Sequence, residues 1–214
     1  NGFIWLGSRG IDRYDPVTGK LAKFKPISVD SCTIEGEGIL SIFQDDRGTM
    51  WFGVVPPGGL TRYDQSAGCF TTYRPYLKDR NDYNNGIRSI YQDNSGRLWI
   101  GTQDSLYTFD PVTEKFASFN PGFKIPEEFR YFYCILQDNE ENFWFGTGWG
   151  LYKYNESTGE FTQYTHDPAD PNSISNRIIR GIVEDPYDGY RSLWVATDRG
   201  LNKLDKKSGK AVRF

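Results

Sequence analysis

The chain of 214 residues is short of the groups that most often do chemistry. It has one histidine, His166, so a histidine-based metal cluster is excluded. There is one methionine and alanine is sparse, so long helices are not expected. Three cysteines, Cys32, Cys69 and Cys134, form an odd and widely spaced set. That argues against a disulfide framework or a zinc site, and for small apolar packing residues. No apolar run approaches the ~18 residues that a membrane helix needs, so no span is expected. No block of Lys and Arg stands out and the formal net charge is −3, which disfavours a surface that tracks nucleic-acid phosphates. The first residues, Asn1-Gly2-Phe3-Ile4-Trp5, already read as a strand, so any targeting signal would lie upstream. No glycine-rich phosphate cradle, nucleophile elbow or Cys/His pair is visible, and neither a catalytic residue nor a cofactor is expected.

What is abundant is aromatic. Tyr, Phe and Trp number 14, 15 and 6, with 23 Gly and 11 Pro between them. Such composition favours short strands and many turns. Trp5, Trp51, Trp99, Trp144 and Trp194 follow one another at gaps of 46, 48, 45 and 50 residues, each inside a phrase such as Leu98-Trp99-Ile100-Gly101-Thr102. A period of ~40–50 residues marks a repeat architecture.

The second unit shows the grammar of one repeat. Residues 39–43, 50–54, 60–64 and 69–73 read as strands a, b, c and d, separated by Gln-Asp, Pro-Gly and Asp-containing turns. Strand d ends in an aromatic in every unit: Phe24, Tyr73, Phe119, Tyr164 and Phe214. A single four-stranded sheet leaves two apolar faces in water, and packing such sheets around an axis covers both. The expected class is all-β, a β-propeller of four-stranded antiparallel blades, in units spanning roughly 1–26, 38–75, 86–121, 131–165 and 177–214 of one 1–214 body. The repeated tryptophans are read as inter-sheet core. The first unit begins at strand b, so about five blades are expected with one innermost strand missing. The chain is then expected to be a piece of a larger ring, about seven blades, or else an open or oligomer-completed arc.

The phrase Asp93-Asn94-Ser95-Gly96-Arg97-Leu98-Trp99-Ile100-Gly101-Thr102, followed by Leu106-Tyr107-Thr108-Phe109-Asp110-Pro111 and Phe116-Ala117-Ser118-Phe119, resembles the two-component regulator propeller repeat. The fourth unit, from Phe143-Trp144-Phe145-Gly146-Thr147 to Tyr154-Asn155, is similarly close. The departures are Pro56-Pro57 between strands b and c, an a–b turn lengthened by Glu140-Glu141-Asn142, Ala196 in place of the usual Gly, and a turn expanded by Asp188-Gly189-Tyr190-Arg191. The resemblance implies an extracytoplasmic, periplasmic sensor segment of a membrane-bound bacterial two-component regulator. In that family two propellers are commonly followed by an immunoglobulin-like domain, a membrane helix and a kinase, and many members detect polysaccharide breakdown products. It also implies as partners a small molecule or oligosaccharide, the remaining blades or a second propeller, and a second protomer in a homodimer. A propeller enzyme (lyase or glycoside hydrolase) and a protein-interaction scaffold are the alternatives.

Propeller topology puts the d–a and b–c connections at one end of the blades, and here the d–a connections are the long ones. That end is the expected binding face. It carries Tyr76, Arg80, Tyr83, Phe129, Arg130, Tyr131 and His166, the last read as a solvated turn residue. Trp149, between Gly148 and Gly150, is the one tryptophan outside the repeat. Arg88, Tyr133 and Arg180 hold equivalent positions at the top of strand a. Aromatic rings stack on sugar faces, while arginines grip hydroxyls and carboxylates. The ligand-binding candidates are therefore Trp149, Arg88, Tyr133, Arg180, Arg130, Tyr131 and Tyr83; the arginines equally suit pairing with neighbouring carboxylates. The Asp residues of the turns are read as structural.

Overall fold

The computed structural model describes residues 2–25, 32–76, 78, 79, 81–120, 122 and 124–214. Among the described residues nineteen strands form five antiparallel meanders. The first sheet has three strands, β1 (Ile4–Ser8), β2 (Gly10–Tyr14) and β3 (Leu21–Phe24). The second has β4 (Ile39–Gln44), β5 (Met50–Val54), β6 (Leu60–Asp64) and β7 (Cys69–Tyr73), and the third β8 (Ser89–Gln92), β9 (Leu98–Gly101), β10 (Leu106–Asp110) and β11 (Lys115–Phe119). The fourth comprises β12 (Phe132–Gln137), β13 (Phe143–Thr147), β14 (Gly150–Tyr154) and β15 (Phe161–Tyr164). The fifth comprises β16 (Ile179–Glu184), β17 (Ser192–Thr197), β18 (Gly200–Asp205) and β19 (Ala211–Arg213). These are propeller blades. They fall into two compact units, 1–118 and 119–214.

Sheets pack face to face within each unit. In the first unit, one cluster joins Ile11, Trp5 and Phe24 to Phe52, Val54, Tyr63 and Phe70, and another joins Trp51 and Leu60 to Ile87, Leu98, Ile100 and Phe109. In the second, Trp144 and Leu151 meet Ile179, Leu193, Val195 and Leu204. Trp51, Trp99 and Trp144 are essentially unexposed, as inter-sheet core requires, and burying each ring contributes ~2–3 kcal/mol. Trp5 and Trp194 are only half-buried. Trp194 packs on Phe214 of its own sheet, 5.5 Å between centroids.

The turns are repeated chemistry. Every c–d turn opens on an Asp or Asn whose side chain accepts backbone N–H bonds two or three residues on: Asp15, Asp64, Asp110, Asn155 and Asp205. Four of these turns close on a left-handed glycine, and the fifth on Glu114 at φ 58°. Glu114 is held there from the second sheet, because its carboxylate accepts from Tyr73 Oη at 2.6 Å and pairs with Arg62 at 3.0 Å. Burial first, then this bond, pushes the Tyr73 phenol up.

Neighbouring a–b turns are clamped together. Gln92 accepts from Asp46 N at 2.8 Å and donates to its carboxylate at 2.9 Å. Glu184 accepts from Asn139 N at 3.3 Å in the same way. The buried Lys206 joins that second clamp, bonding Asn139, Glu184 and Asp138.

Three expectations need correction. Cys32 and Cys69 form a disulfide, which fastens the loop after the first sheet to β7, beside a Phe70 N–H bond to Cys32 O. Thirty-seven residues of sequence separate them, and only the fold brings them together. Cys134 remains free, and burial pushes its thiol up to about 12. The a–b turn of the fourth sheet is not lengthened: Asp138 precedes Trp144 by the same six positions as Asp45 precedes Trp51, and Glu141 at φ 65° takes the place of Gly48. His166 is not a solvated residue. It is half-buried, and its Nδ1 lies 2.9 Å from Ile174 O, tying its own loop together. Among the described residues no helix is long and apolar enough to cross a membrane.

Candidate functional site

At the long-loop end each strand a begins with a kink. The pairing of β4 with β5, β12 with β13 and β16 with β17 skips one residue: Leu40, Tyr133 and Arg180 respectively. Such bulges re-aim a side chain out of the sheet. Arg88, just before β8, bonds Gly101 O through its backbone and occupies the corresponding place. The neighbouring b–c turns are equally regular. In each, a Thr hydroxyl donates to a carbonyl three residues on and accepts a backbone N–H: Thr102, Thr147 and Thr197. The second position of this turn is Gln103, Gly148 or Asp198, and the third is Asp104, Trp149 or Arg199. Trp149 is therefore an ordinary turn position filled by an unusual residue.

In the second unit these positions bring predicted residues together. Trp149 stacks on Phe129 with centroids 4.8 Å apart, and Gly148 allows that approach because a Cβ there would lie 2.7 Å from Phe129 O. Arg177 packs against both rings, 4.4 Å from Phe129 and 4.6 Å from Trp149. Beside them Tyr131 and Tyr133 stack nearly parallel at 5.7 Å, and the Arg180 guanidinium lies 4.4 Å from the Tyr133 ring. Arg180 is also paired to Asp198 by two bonds of 2.5 and 3.1 Å. That pairing raises the arginine's pKa and holds the Asp198 carboxyl below its usual range. Arg130 serves its own loop, donating to Ile125 O at 3.0 Å. Sequence reasoning missed Arg177 and Asp198. The signal for Asp198 was its place one residue beyond the recurring Thr.

Arg88 and Tyr83 belong to the first unit. They line a cavity of about 370 Å³ with Leu40, Asn81, Gln103 and the Val55–Pro56 loop. The loop that carries Tyr83 is organised by buried Asn85, which accepts from Tyr76 N and donates to Asp79 O. Arg80 lies outside the described residues. A larger cavity of about 610 Å³, lined by Trp5, Arg13, Gln44 and the Gly48–Thr49 turn, opens at the opposite end of the first two sheets. In the next pair of sheets, the residue matching Gln44 is Gln92, and its side chain holds the Asp46 turn. This space is thus of the kind that blade-to-blade clamping fills.

The family model described as the two component regulator propeller matches residues 84–104 and 127–149. Those two stretches carry the two component regulator propeller repeat. No curated protein sequence matches it. Among solved structures, it is similar to the extracellular domain of BT4673 of B. thetaiotaomicron, called a hybrid two component system, at 25% identity and a TM-score of 0.79, over 94% of this chain and 25% of that one. The like domain of BT3049 from the same organism shares 21% identity at a TM-score of 0.65, over 99% and 32%. Virginiamycin B lyase of Staphylococcus aureus shares the fold at 15% identity and a TM-score of 0.68, over 97% and 63%. The chain spans about a quarter of the length of the first of these.

Proposed function

We propose that the chain is a non-enzymatic, ligand-binding part of an extracytoplasmic sensor in a two-component signalling protein, and that its ligand is a carbohydrate. The observation that carries the reading is the set of rings and guanidinium groups at the long-loop end of the fourth and fifth sheets: Trp149, Phe129, Tyr131 and Tyr133 with Arg177 and Arg180. Flat apolar faces next to multi-donor side chains suit pyranose rings, which present C–H on their faces and hydroxyls at their edges. The Cys32–Cys69 disulfide supports placement outside the cytosol, where thiols stay oxidised. A catalytic reading finds little here, since the one histidine is committed to a loop carbonyl. The likeness to the lyase is a likeness of fold.

The test is a thermal-shift screen of the full-length sensor region against polysaccharide fragments. A fragment at 100 times its Kd stabilises the native state by about 2.7 kcal/mol and raises Tm by roughly 5–10 °C. Trp149→Ala is expected to weaken that fragment's binding at least about tenfold. Release of product from any fragment would instead establish an enzyme, and capture of a protein without glycan binding a scaffold.

A further inference from the structure

Two arginines hold one position in successive sheets and are used differently. Arg130 and Arg177 each stand three residues before the skipped residue of strand a, Tyr133 and Arg180 respectively. Arg130 is committed within its own loop, donating to Ile125 O at 3.0 Å with the Glu127 carboxylate 3.9 Å away. Arg177 instead reaches the loops of the fourth sheet, where its guanidinium carbon lies 4.4 Å from the centre of the Phe129 ring and 4.6 Å from that of Trp149. Attraction between a cation and aromatic faces engages the charge but uses none of the N–H donors. Among the described residues, no acceptor bonds the Arg177 guanidinium and no carboxylate lies within ion-pairing distance of it. Asp198, the acid of the fifth sheet's b–c turn, is held by two bonds to Arg180. Arg177 is exposed, whereas the two rings it lies on are half-buried. A guanidinium is thus held in place by aromatic rings with its hydrogen-bond donors unused.

We propose that Arg177 sets the specificity of the second unit's site by taking the carboxylate of an acidic sugar, a uronic acid residue of an oligosaccharide. This rests on the carbohydrate reading above and narrows it. Guanidinium offers a carboxylate two parallel N–H bonds, a match that it makes better than ammonium. The two rings already restrict the arginine, so it loses less freedom on binding than an unanchored surface side chain would. The aromatic group beside it supplies an apolar surface for the C–H face of the sugar. Arg130 and Arg180 have acceptors within the chain, so one guanidinium is left to balance one carboxylate, which favours a uronate over a multiply charged sulfated sugar.

The experiment is calorimetric titration of the full-length sensor region with oligosaccharides of galacturonic, glucuronic and mannuronic acid, each paired with its neutral counterpart and with a sulfated neutral oligosaccharide of equal length. At least one oligouronide is expected to bind about tenfold or more tightly than its neutral partner. Arg177→Gln should abolish that preference and leave neutral binding in place. Arg177→Lys, which keeps the charge without the planar fork, should lower the preference without removing it. Lys207→Gln makes the same change of charge in the exposed c–d turn at the opposite end of the fifth sheet, and should preserve the preference. If neutral oligosaccharides bind as well as their uronides, if sulfated ones bind more tightly than uronides, or if Arg177→Gln keeps the preference or Lys207→Gln loses it, the inference is overturned while the carbohydrate reading stands. If no oligosaccharide of any class binds, both fall.

Discussion

Asp45, Asp93 and Asp138 show how much one repeated side chain can carry. Each accepts the indole N–H of the tryptophan six positions on at 2.8 Å, and each also accepts two backbone N–H groups of its own turn. The carboxylate therefore folds the turn and fixes the orientation of a core ring at once. Burial works against the charge of Asp93, but bonds from Ser95, Arg97 and Trp99 outweigh it and hold its carboxyl below the usual range. The fifth sheet lacks this bond. Its longer turn sets Asp185 nine positions before Trp194, the carboxylate turns to Lys203 at 2.6 Å, and the indole stays half-buried. Removing a buried acceptor strands every donor that faced it. Asp138→Ala is accordingly expected to destabilise the chain by about 3 kcal/mol, since Trp144 and Asn142 lose their acceptor and Lys206 loses one of its carboxylates. Asp138→Asn keeps an acceptor for the indole and should cost less than half as much. Urea unfolding of the two variants checks this, and equal losses would show that the bond to Trp144 is not what the site needs.

At the scale of the strand, the glycine after each core tryptophan is explained by its opposite number. Strand a presents Ser41, Cys134 or Gly181 directly across from Gly53, Gly146 or Ala196. A Cβ on Gly53 would lie 2.2 Å from both Ser41 Oγ and Ile87 O, and one on Gly146 would lie 2.3 Å from Cys134 Sγ. Ala196 instead lies across from Gly181, where even an added Cβ would stand 3.8 Å from the Ala196 Cβ, an ordinary contact, so this pair is not crowded. Gly146→Ala should therefore cost about 2 kcal/mol by overpacking. Adding Cys134→Gly to that variant should cost less than Cys134→Gly alone, with a coupling of about 1 kcal/mol. Additive losses in the double-mutant cycle would refute the pairing. Strands b, c and d of the second sheet lie where alternation and turn residues place them, because those signals are local. The partner of Ala196 was not readable, since a cross-strand register depends on the bulge at Arg180, and nothing in Ile178-Ile179-Arg180-Gly181 announces a skipped residue. The same limit hid the disulfide and the Arg177–Trp149 contact, both made by segments far apart in the chain. The candidate residues themselves were legible from composition and loop length, whereas the Asp198 partner of Arg180 needed the turn geometry.

For the whole molecule, the turn carboxylates that shape every sheet also set its response to acid. Asp15, Asp64 and Asp110 are held below the ordinary range chiefly by the hydroxyls of Thr18, Ser66 and Thr113, and Asp205 by Ser208. Bonds from Ser192 and Lys203 outweigh burial and bring Asp188 down to about 2. Lys203 lowers Asp185, and Arg180 lowers Asp198. In every case the folded chain releases its proton more readily than the unfolded chain does. Between the two pKa values the unfolded state binds more protons, so stability rises with pH through that window and is fully present above the unfolded value near ~4. The urea midpoint is thus expected to be flat from about pH 7 to pH 5 and to fall steeply below about pH 4. Because these carboxylates sit in turns of several sheets, no single replacement should remove the acid limb. Changing Asp15, Asp64, Asp110 and Asp205 together to Asn, which keeps an acceptor for each turn as Asn155 does naturally, should flatten it. A midpoint at pH 3 equal to that at pH 7 in the unaltered chain would show that the turn bonds do not distinguish charged from neutral carboxyls, and would remove the electrostatic share of the stability assigned to them.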